Sequence, residues 1–288
     1  MTQENALLEV DGLKTYFYLE EGDVRAVDGV SFSVPQGKTL GIVSESGSGK
    51  TTAALAVLRL VPITSGKISL GEDEISSLGG NDLRMARRRF QIIFQDPYSS
   101  LDPRRRAGDI VREPLDLMNV GDPAGRHAAV DELFVQVGLR LEQRNLFPHQ
   151  FSGGQRQRIS LARALATKPE LIVCDEPVSA LDVAIQAQIL NLMRKLQDNL
   201  GLTYLFISHD LGVVQYVCDE VAVMYLGRIV EQADRRTIFS QPKHPYTQAL
   251  LSAVPSAKRL EGESSARIVL KGAPPSPIDL PKGCSFAA

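Results

Sequence analysis

Eight consecutive residues, Ser44-Glu45-Ser46-Gly47-Ser48-Gly49-Lys50-Thr51, followed by Thr52, have the types and spacing needed to hold a polyphosphate. They follow the apolar run Leu40-Gly41-Ile42-Val43 and open a helix, the context in which a G-x-x-x-x-G-K-[ST] pattern carries meaning. Gly47 and Gly49 let the backbone curl so that successive N–H groups converge on phosphate oxygens, and the helix N-terminus adds its positive dipole end. Lys50 neutralises charge on the β and γ phosphates, and Thr51 can ligate Mg²⁺. One position departs from the pattern: Ser44 stands where the first Gly belongs. If that position needs φ > 0 its Cβ brings strain and weaker nucleotide binding; if it keeps β geometry a Ser is tolerated. The second alternative is favoured, because the residues that touch phosphate and metal are all present.

A second apolar run, Leu171-Ile172-Val173-Cys174, ends on Asp175 and Glu176. Alone, such a pair is as often a strand end meeting solvent. Beside a phosphate loop, Asp175 is suited to Mg²⁺ and Glu176 to polarising an attacking water as general base. Phe151-Ser152-Gly153-Gly154-Gln155, continued by Arg156-Gln157-Arg158 and a helix from Ile159 to Ala166, is the most specific feature of the chain. A Ser hydroxyl, two glycines and a helix N-terminus make a second anion site. The plainer account, an N-cap Ser in a Gly-rich turn, explains one residue of the set.

With these residues the chain resembles the ATP-binding cassette family. The resemblance implies that Ser152, Gly153, Gly154 and Gln155 reach the γ-phosphate of ATP held by a second subunit, in a head-to-tail dimer; Phe151 replaces the leading Leu of the family's segment. It implies that Gln95, after the strand Phe90 to Phe94, senses Mg²⁺ and the attacking water and links the core to a helical subdomain. It likewise implies that Ser179-Ala180-Leu181-Asp182 lies at the dimer's nucleotide and that His209, after Leu205-Phe206-Ile207-Ser208, contacts the γ-phosphate. Tyr16 and Phe17 compete for the aromatic that stacks on adenine, and strand neighbours face opposite ways. Counting back from the phosphate loop favours Phe17.

The chain opens on paired strands: Leu7 to Val10, Thr15 to Leu19, a turn at Glu20 to Asp23, then Val24 to Val34 with alternation before Pro35. Strand Leu40 to Val43, the loop, and a helix through Ala53, Leu55, Val57 and Leu60 ending near Pro62 make an α/β beginning. From about Pro97 to Leu146 the chain is punctuated by Pro, Gly and Arg around a helical stretch from His127 to Val137, an inserted helical subdomain. Leu171 to Cys174 and Leu202 to Ile207 are buried-strand runs separated by a helix through Ile185, Ile189, Met193 and Leu196. A short helix, Thr247 to Ser252, precedes a tail rich in Pro, Gly and Ser with little expected core. The fold class expected is α/β, a P-loop NTPase (RecA-like) core with an antiparallel β lead-in, an inserted α-helical subdomain and a C-terminal Pro-rich extension. Residues 1–95 and 165–250 form the nucleotide-binding core, 96–164 the helical subdomain carrying Ser152 to Gln155, and 251–288 the extension.

The 288 residues are 43% apolar and 23% charged, the balance of a globular protein. With 32 Lys and Arg against 34 Asp and Glu, the net charge of −2 offers no global pull towards nucleic acid or anionic lipid. Three scattered cysteines are no disulfide framework, and the start MTQENALLEV lacks a signal peptide's basic-then-apolar profile. No window reaches the roughly 18 uninterrupted apolar residues of a membrane span. The expected address is the cytoplasmic face of the cell membrane, reached through partners.

Within the family, Phe94-Gln95-Asp96-Pro97-Tyr98-Ser99-Ser100-Leu101-Asp102-Pro103, Ile110 to Leu115 (IVREPL) and His244-Pro245-Tyr246-Thr247-Gln248-Ala249-Leu250-Leu251 resemble the ATPase subunits of bacterial di- and oligopeptide importers. The likeness is greatest to the F-type subunit, the second of their two non-identical ATPases. It implies ATP and Mg²⁺ as ligands, and a second ATPase, two permeases and, indirectly, a solute-binding protein as partners. Gly272 to Pro277 and Gly283 to Phe286 match the start of that group's C-terminal motif. Many relatives continue with cysteines for an iron-sulfur cluster, whereas Cys284 is the one cysteine in this tail, so no cluster is expected on this chain. The arginine runs Arg84, Arg87 to Arg89 and Arg104 to Arg106 raise a rival, a cassette ATPase acting on nucleic acid or the ribosome. Against it, no aromatics interleave with them as in a stacking platform, and no nucleic acid partner is expected. A weakly hydrolysing regulatory ATPase subunit is the other alternative, with Ser44 its suspect.

Overall fold

A computed structural model describes residues 6–253 and, in the tail, 268, 275, 276, 278, 283, 284 and 286. In chain order the elements are β1 (Ala6–Leu19), β2 (Gly22–Pro35), β3 (Thr39–Val43), α1 (Lys50–Val57), β4 (Ser65–Leu70), β5 (Asp73–Glu74), α2 (Gly80–Ala86), β6 (Phe90–Ile93), α3 (Ala107–Leu117), α4 (Arg126–Gln136), α5 (Gly153–Leu165), β7 (Leu171–Asp175), α6 (Val183–Leu200), β8 (Thr203–Ser208), α7 (Leu211–Val217), β9 (Glu220–Tyr225), β10 (Arg228–Asp234), α8 (Arg235–Ser240) and α9 (Pro245–Ser252). The fold is α/β. The chain divides into two compact units, one of Met1–Leu7, Pro35–Gly37 and Ser77–Leu205, the other of Leu8–Val34, Lys38–Ser76 and Phe206–Ala288.

In the unit that begins at Leu8, β2, β1, β4 and β5 form an antiparallel sheet in that order, with Leu8 opposite Leu70 and Val10 opposite Ile68. The two short strands read from the sequence are halves of β1, joined where the register against β4 shifts between Asp11 and Lys14. In the same unit β3 runs parallel to β9, pairing Leu40 with Glu220 and Val43 with Val223, and β10 returns antiparallel. All five residues of β3 are buried, as a strand covered on both faces requires. Gly41 is part of that cover: a Cβ there would meet Cys218 Sγ at 2.6 Å.

In the other unit β6 and β7 pair in parallel, Phe90 with Leu171 and Ile93 with Cys174, and β7 is buried along its whole length. Its helices α3, α4 and α5 enclose Val111, Phe134 and Ile159, all buried. The sequence reading assigns one helix between Pro97 and Leu146, but the structure has two. Helix α3 holds Pro114 in its interior, which ordinarily costs about 3 kcal/mol. Burial of Ala107, Ile110, Val111 and Leu115 along one face offsets that cost.

Candidate functional site

The phosphate loop leaves β3 at Ser44, which is buried and is not one of the residues with positive φ, so its Cβ carries no left-handed strain. Its hydroxyl lies against that of Ser48 and accepts a bond from Lys50 Nζ at 3.0 Å. Lys50, also buried, donates to the carbonyl oxygens of Ser44 (2.9 Å) and Glu45 (2.8 Å). The ammonium thus rests on the loop's own acceptors. Gly49 precedes α1 with φ 100°, and a Cβ there would overlap the carbonyl oxygen of Ala26. Glu45, Ser46 and Gly47 are exposed, and Thr51 and Thr52 occupy the first turn of α1. Ser44, Glu45 and Ser46 line a cavity of about 520 Å³ together with His209 and Asp210, so His209 shares a wall with the loop. Asp210 fixes the turn after His209 by accepting from the N–H groups of Gly212 (2.8 Å) and Val213 (3.2 Å).

The same unit holds the two competing aromatics. Tyr16 donates its hydroxyl to Asp28 at 2.5 Å, and Arg228 donates to the other oxygen of Asp28 through Nε (3.1 Å) and Nη2 (2.7 Å). Burial and the Asp28 carboxylate push the Tyr16 hydroxyl up to about 12. For Asp28 burial works towards neutrality, but the bonds from Tyr16 and Arg228 outweigh it and hold the carboxyl below its usual range. Phe17, next in the strand, is 37% exposed.

In the other unit, Asp175 ends β7 and is buried. Glu176 follows with φ 46°, a left-handed conformation that costs a non-glycine about 1–2 kcal/mol. Gln95 Nε2 donates to Glu176 Oε2 at 2.9 Å, which brings two of the expected residues together.

Ser152 caps α5: its hydroxyl accepts from Gln155 N–H (3.3 Å) while Gln155 Oε1 accepts from Ser152 N–H (3.0 Å). This reciprocal capping box accounts for two members of the segment within the chain itself. The glycines are accounted for by approach, since a Cβ on Gly154 would sit 2.5 Å from Ile185 Cγ2 and one on Gly153 3.1 Å from Leu181 Cδ2. Asp182 caps α6 by accepting from Ile185 N–H at 3.0 Å.

Arg156, buried directly after that segment, donates to the Pro148 carbonyl at 2.7 Å and lies 3.4 Å beneath the ring centroid of Tyr98. Arg163, seven residues along α5, donates to the Ser100 carbonyl at 2.5 Å. Helix α5 thereby grips the loop that follows Gln95, a link with no local signature in the sequence. Several residues of the arginine runs are likewise spent inside the molecule. Arg84 donates to the Leu117 carbonyl, Arg88 to that of Asn119 (3.1 Å), and Arg89 binds Glu170 through Nε (2.5 Å) and Nη2 (3.2 Å). Arg105 pairs with Glu113, and Arg106 lies 6.0 Å from the Phe147 ring centroid.

Asp28, Arg228, Tyr98 and Arg156 carry contacts that sequence reasoning does not reach, because their partners lie on other elements. Of the tail motif, Gly272 to Pro274, Pro277 and Ser285 lie outside the described residues. Cys284 is exposed, while Cys174 and Cys218 are buried. Among the described residues no helix is long and apolar enough to cross a membrane.

Residues 27–179 match the ABC transporter family, and residues 230–288 match the C-terminal region of oligopeptide/dipeptide transporters. The oligopeptide transport ATP-binding protein AppF of Bacillus subtilis is 49% identical over 98% of this chain and 88% of its own length. The dipeptide transport ATP-binding protein DppF of Haemophilus influenzae is 46% identical over 99% of this chain and 88% of its own. Among solved structures, the dimeric post-hydrolysis state of the ATP-binding cassette MJ0796 bound to ADP and Pi matches with a TM-score of 0.72 at 27% identity, over 80% of this chain and 99% of that one. The cbiO1 subunit from Clostridium perfringens, part of the ABC transporter complex cbiONQ, matches with a TM-score of 0.73 at 26% identity, over 83% of this chain and 92% of that one.

Proposed function

The chain belongs to the ATP-binding cassette transporter ATPases and carries the C-terminal region of their oligopeptide/dipeptide members, and from that premise we propose that it hydrolyses ATP to power a peptide importer. The observation that carries the reading is the phosphate loop: the exposed residues Glu45 to Gly47 lead into α1, with a buried lysine threaded back onto the carbonyls of Ser44 and Glu45.

In this reading Lys50 exchanges those carbonyls for phosphate oxygens, and the backbone of Ser44 to Thr52 supplies N–H donors to the same group. Phe17 stacks on the base. Mg²⁺ suits the remaining donors, since Thr51, Gln95 and the buried Asp175 offer the hard oxygens that ion takes. Held by these residues, the ion would supply neutralisation of the phosphate charge. Glu176 accepts a proton from the attacking water, Gln95 orients that carboxylate, and His209 holds the γ-phosphate side of the pocket. Residues 96–164 act as the helical subdomain that carries Ser152 to Gln155 and, with Asp182, present them to the nucleotide of a second ATPase subunit. The working assembly pairs this ATPase with that subunit and two permeases on the cytoplasmic face of the membrane, fed by a solute-binding protein.

Replacing Glu176 with Gln tests the assignment. ATP binding is expected to remain, while turnover falls by about two to four orders of magnitude, the usual contribution of a general base. Undiminished hydrolysis in that variant overturns the mechanism.

A further inference from the structure

Helix α9 starts under a carboxylate: Glu231 of β10 accepts from the backbone N–H groups of Lys243 (2.8 Å) and His244 (2.9 Å). With that turn fixed, Tyr246 enters the interior, 1% exposed, and its hydroxyl oxygen accepts from the N–H of Glu45 at 3.1 Å. The carbonyl of the same Glu45 accepts from Lys50 Nζ at 2.8 Å. Glu45 is therefore held from both sides, by a lysine that has to turn towards phosphate and by a phenol that does not. The phenol is itself enclosed. Its ring lies 4.5 Å from that of Tyr225, and the ring of Phe286 packs on both, 5.8 Å from Tyr246 and 5.5 Å from Tyr225, with His244 at 5.4 Å from Phe286. One turn along α9, Leu250 lines the same cavity as Ser44, Glu45 and Ser46.

We propose that Tyr246 is a positioning residue for the nucleoside triphosphate, holding the entrance of the phosphate loop through Glu45 N–H, and that Phe286 acts on the loop by clamping the Tyr246 ring. The inference rests on the ATPase reading above and gives the C-terminal region a task in it. When Lys50 leaves the Glu45 carbonyl for phosphate, the hydroxyl bond remains to keep the loop in its receptive shape. Its contribution therefore falls on nucleotide affinity and leaves the chemical step alone.

The test uses the full chain, with MgATP hydrolysis and equilibrium binding of a fluorescent ATP analogue as readouts. Tyr246→Phe keeps the ring and removes the hydroxyl. The KM for ATP and the dissociation constant are expected to rise roughly five-fold, the worth of one neutral hydrogen bond, with kcat within a factor of about two. Phe286→Ala is expected to raise KM by a smaller factor, and to add nothing in the Tyr246→Phe background. Unchanged affinity in Tyr246→Phe, or a Phe286→Ala effect that adds in full, overturns the proposal. Should Tyr246→Phe fail to fold, an unchanged KM in Phe286→Ala does the same. A wild-type chain that binds no nucleotide would instead overturn the ATPase reading, which keeps the two failures distinct.

Discussion

Asp28 shows how much one side chain can organise. Its two oxygens collect the Tyr16 hydroxyl and both arms of Arg228, and its own N–H donates to the Gly227 carbonyl at 2.8 Å. Because these bonds hold the folded carboxyl below its unfolded value of about 3.9, the stability they confer is complete above that pH and is lost as pH falls through the folded value. Asp28→Asn is expected to lower stability at pH 7 by about 1–3 kcal/mol and to flatten the acid side of the stability profile, as measured by urea denaturation from pH 7 to 3. A parallel profile for wild type and variant would show that another carboxylate governs that limb. Glu231 is a second contributor: burial opposes its charge, but the backbone N–H groups of Lys243 and His244 hold its carboxyl low. Lys50 and Glu176 were legible as residues from their spacing. The left-handed backbone of Glu176 was not, because φ at a strand end depends on what the next residues pack against.

Among the elements, α5 is held by its ends and by its neighbours. The capping box at Ser152 and Gln155 satisfies two orphan N–H groups, and Ser152→Ala removes one of those bonds at a cost of about 1 kcal/mol. Gly154 has a different task, letting α5 approach the residues around Ile185. Gly154→Ala is expected to destabilise the protein by about 1–3 kcal/mol, because Cγ2 of Ile185 is attached to a stiff β-branched carbon and cannot swing aside. Thermal unfolding checks this, and Ile185→Ala in the same chain should recover part of the loss. If Gly154→Ala is neutral, the close approach is slack and the glycine serves a ligand alone. The strand–loop–helix run around β3 and α1 could be read from sequence because each piece has its own local period. Helix α3 could not, since Pro114 argues against helix locally and only the packing of Ile110, Val111 and Leu115 overrules it.

For the molecule as a whole, the N-terminus of α5 points the function outward. Its Ser and Gln satisfy one another within the chain, and in the proposed cycle the segment serves a neighbour's nucleotide. Turnover by this chain alone is therefore expected to be low and to rise several-fold when the second ATPase subunit is added, measured as phosphate release against protein ratio. A rate unchanged by the partner would remove the head-to-tail dimer from the mechanism. The net charge of −2 gives the composition no global field towards a polyanion. The sequence by itself determined the phosphate loop, the carboxylate pair and the segment that opens α5, because these act through backbone and neighbours only a few residues away. The tertiary structure decided what supports them. Asp28 meets Arg228 across 200 residues and Glu45 meets Tyr246 across 201, and pairings over such distances leave no periodic trace in a chain; they exist only once both strands and helices have packed.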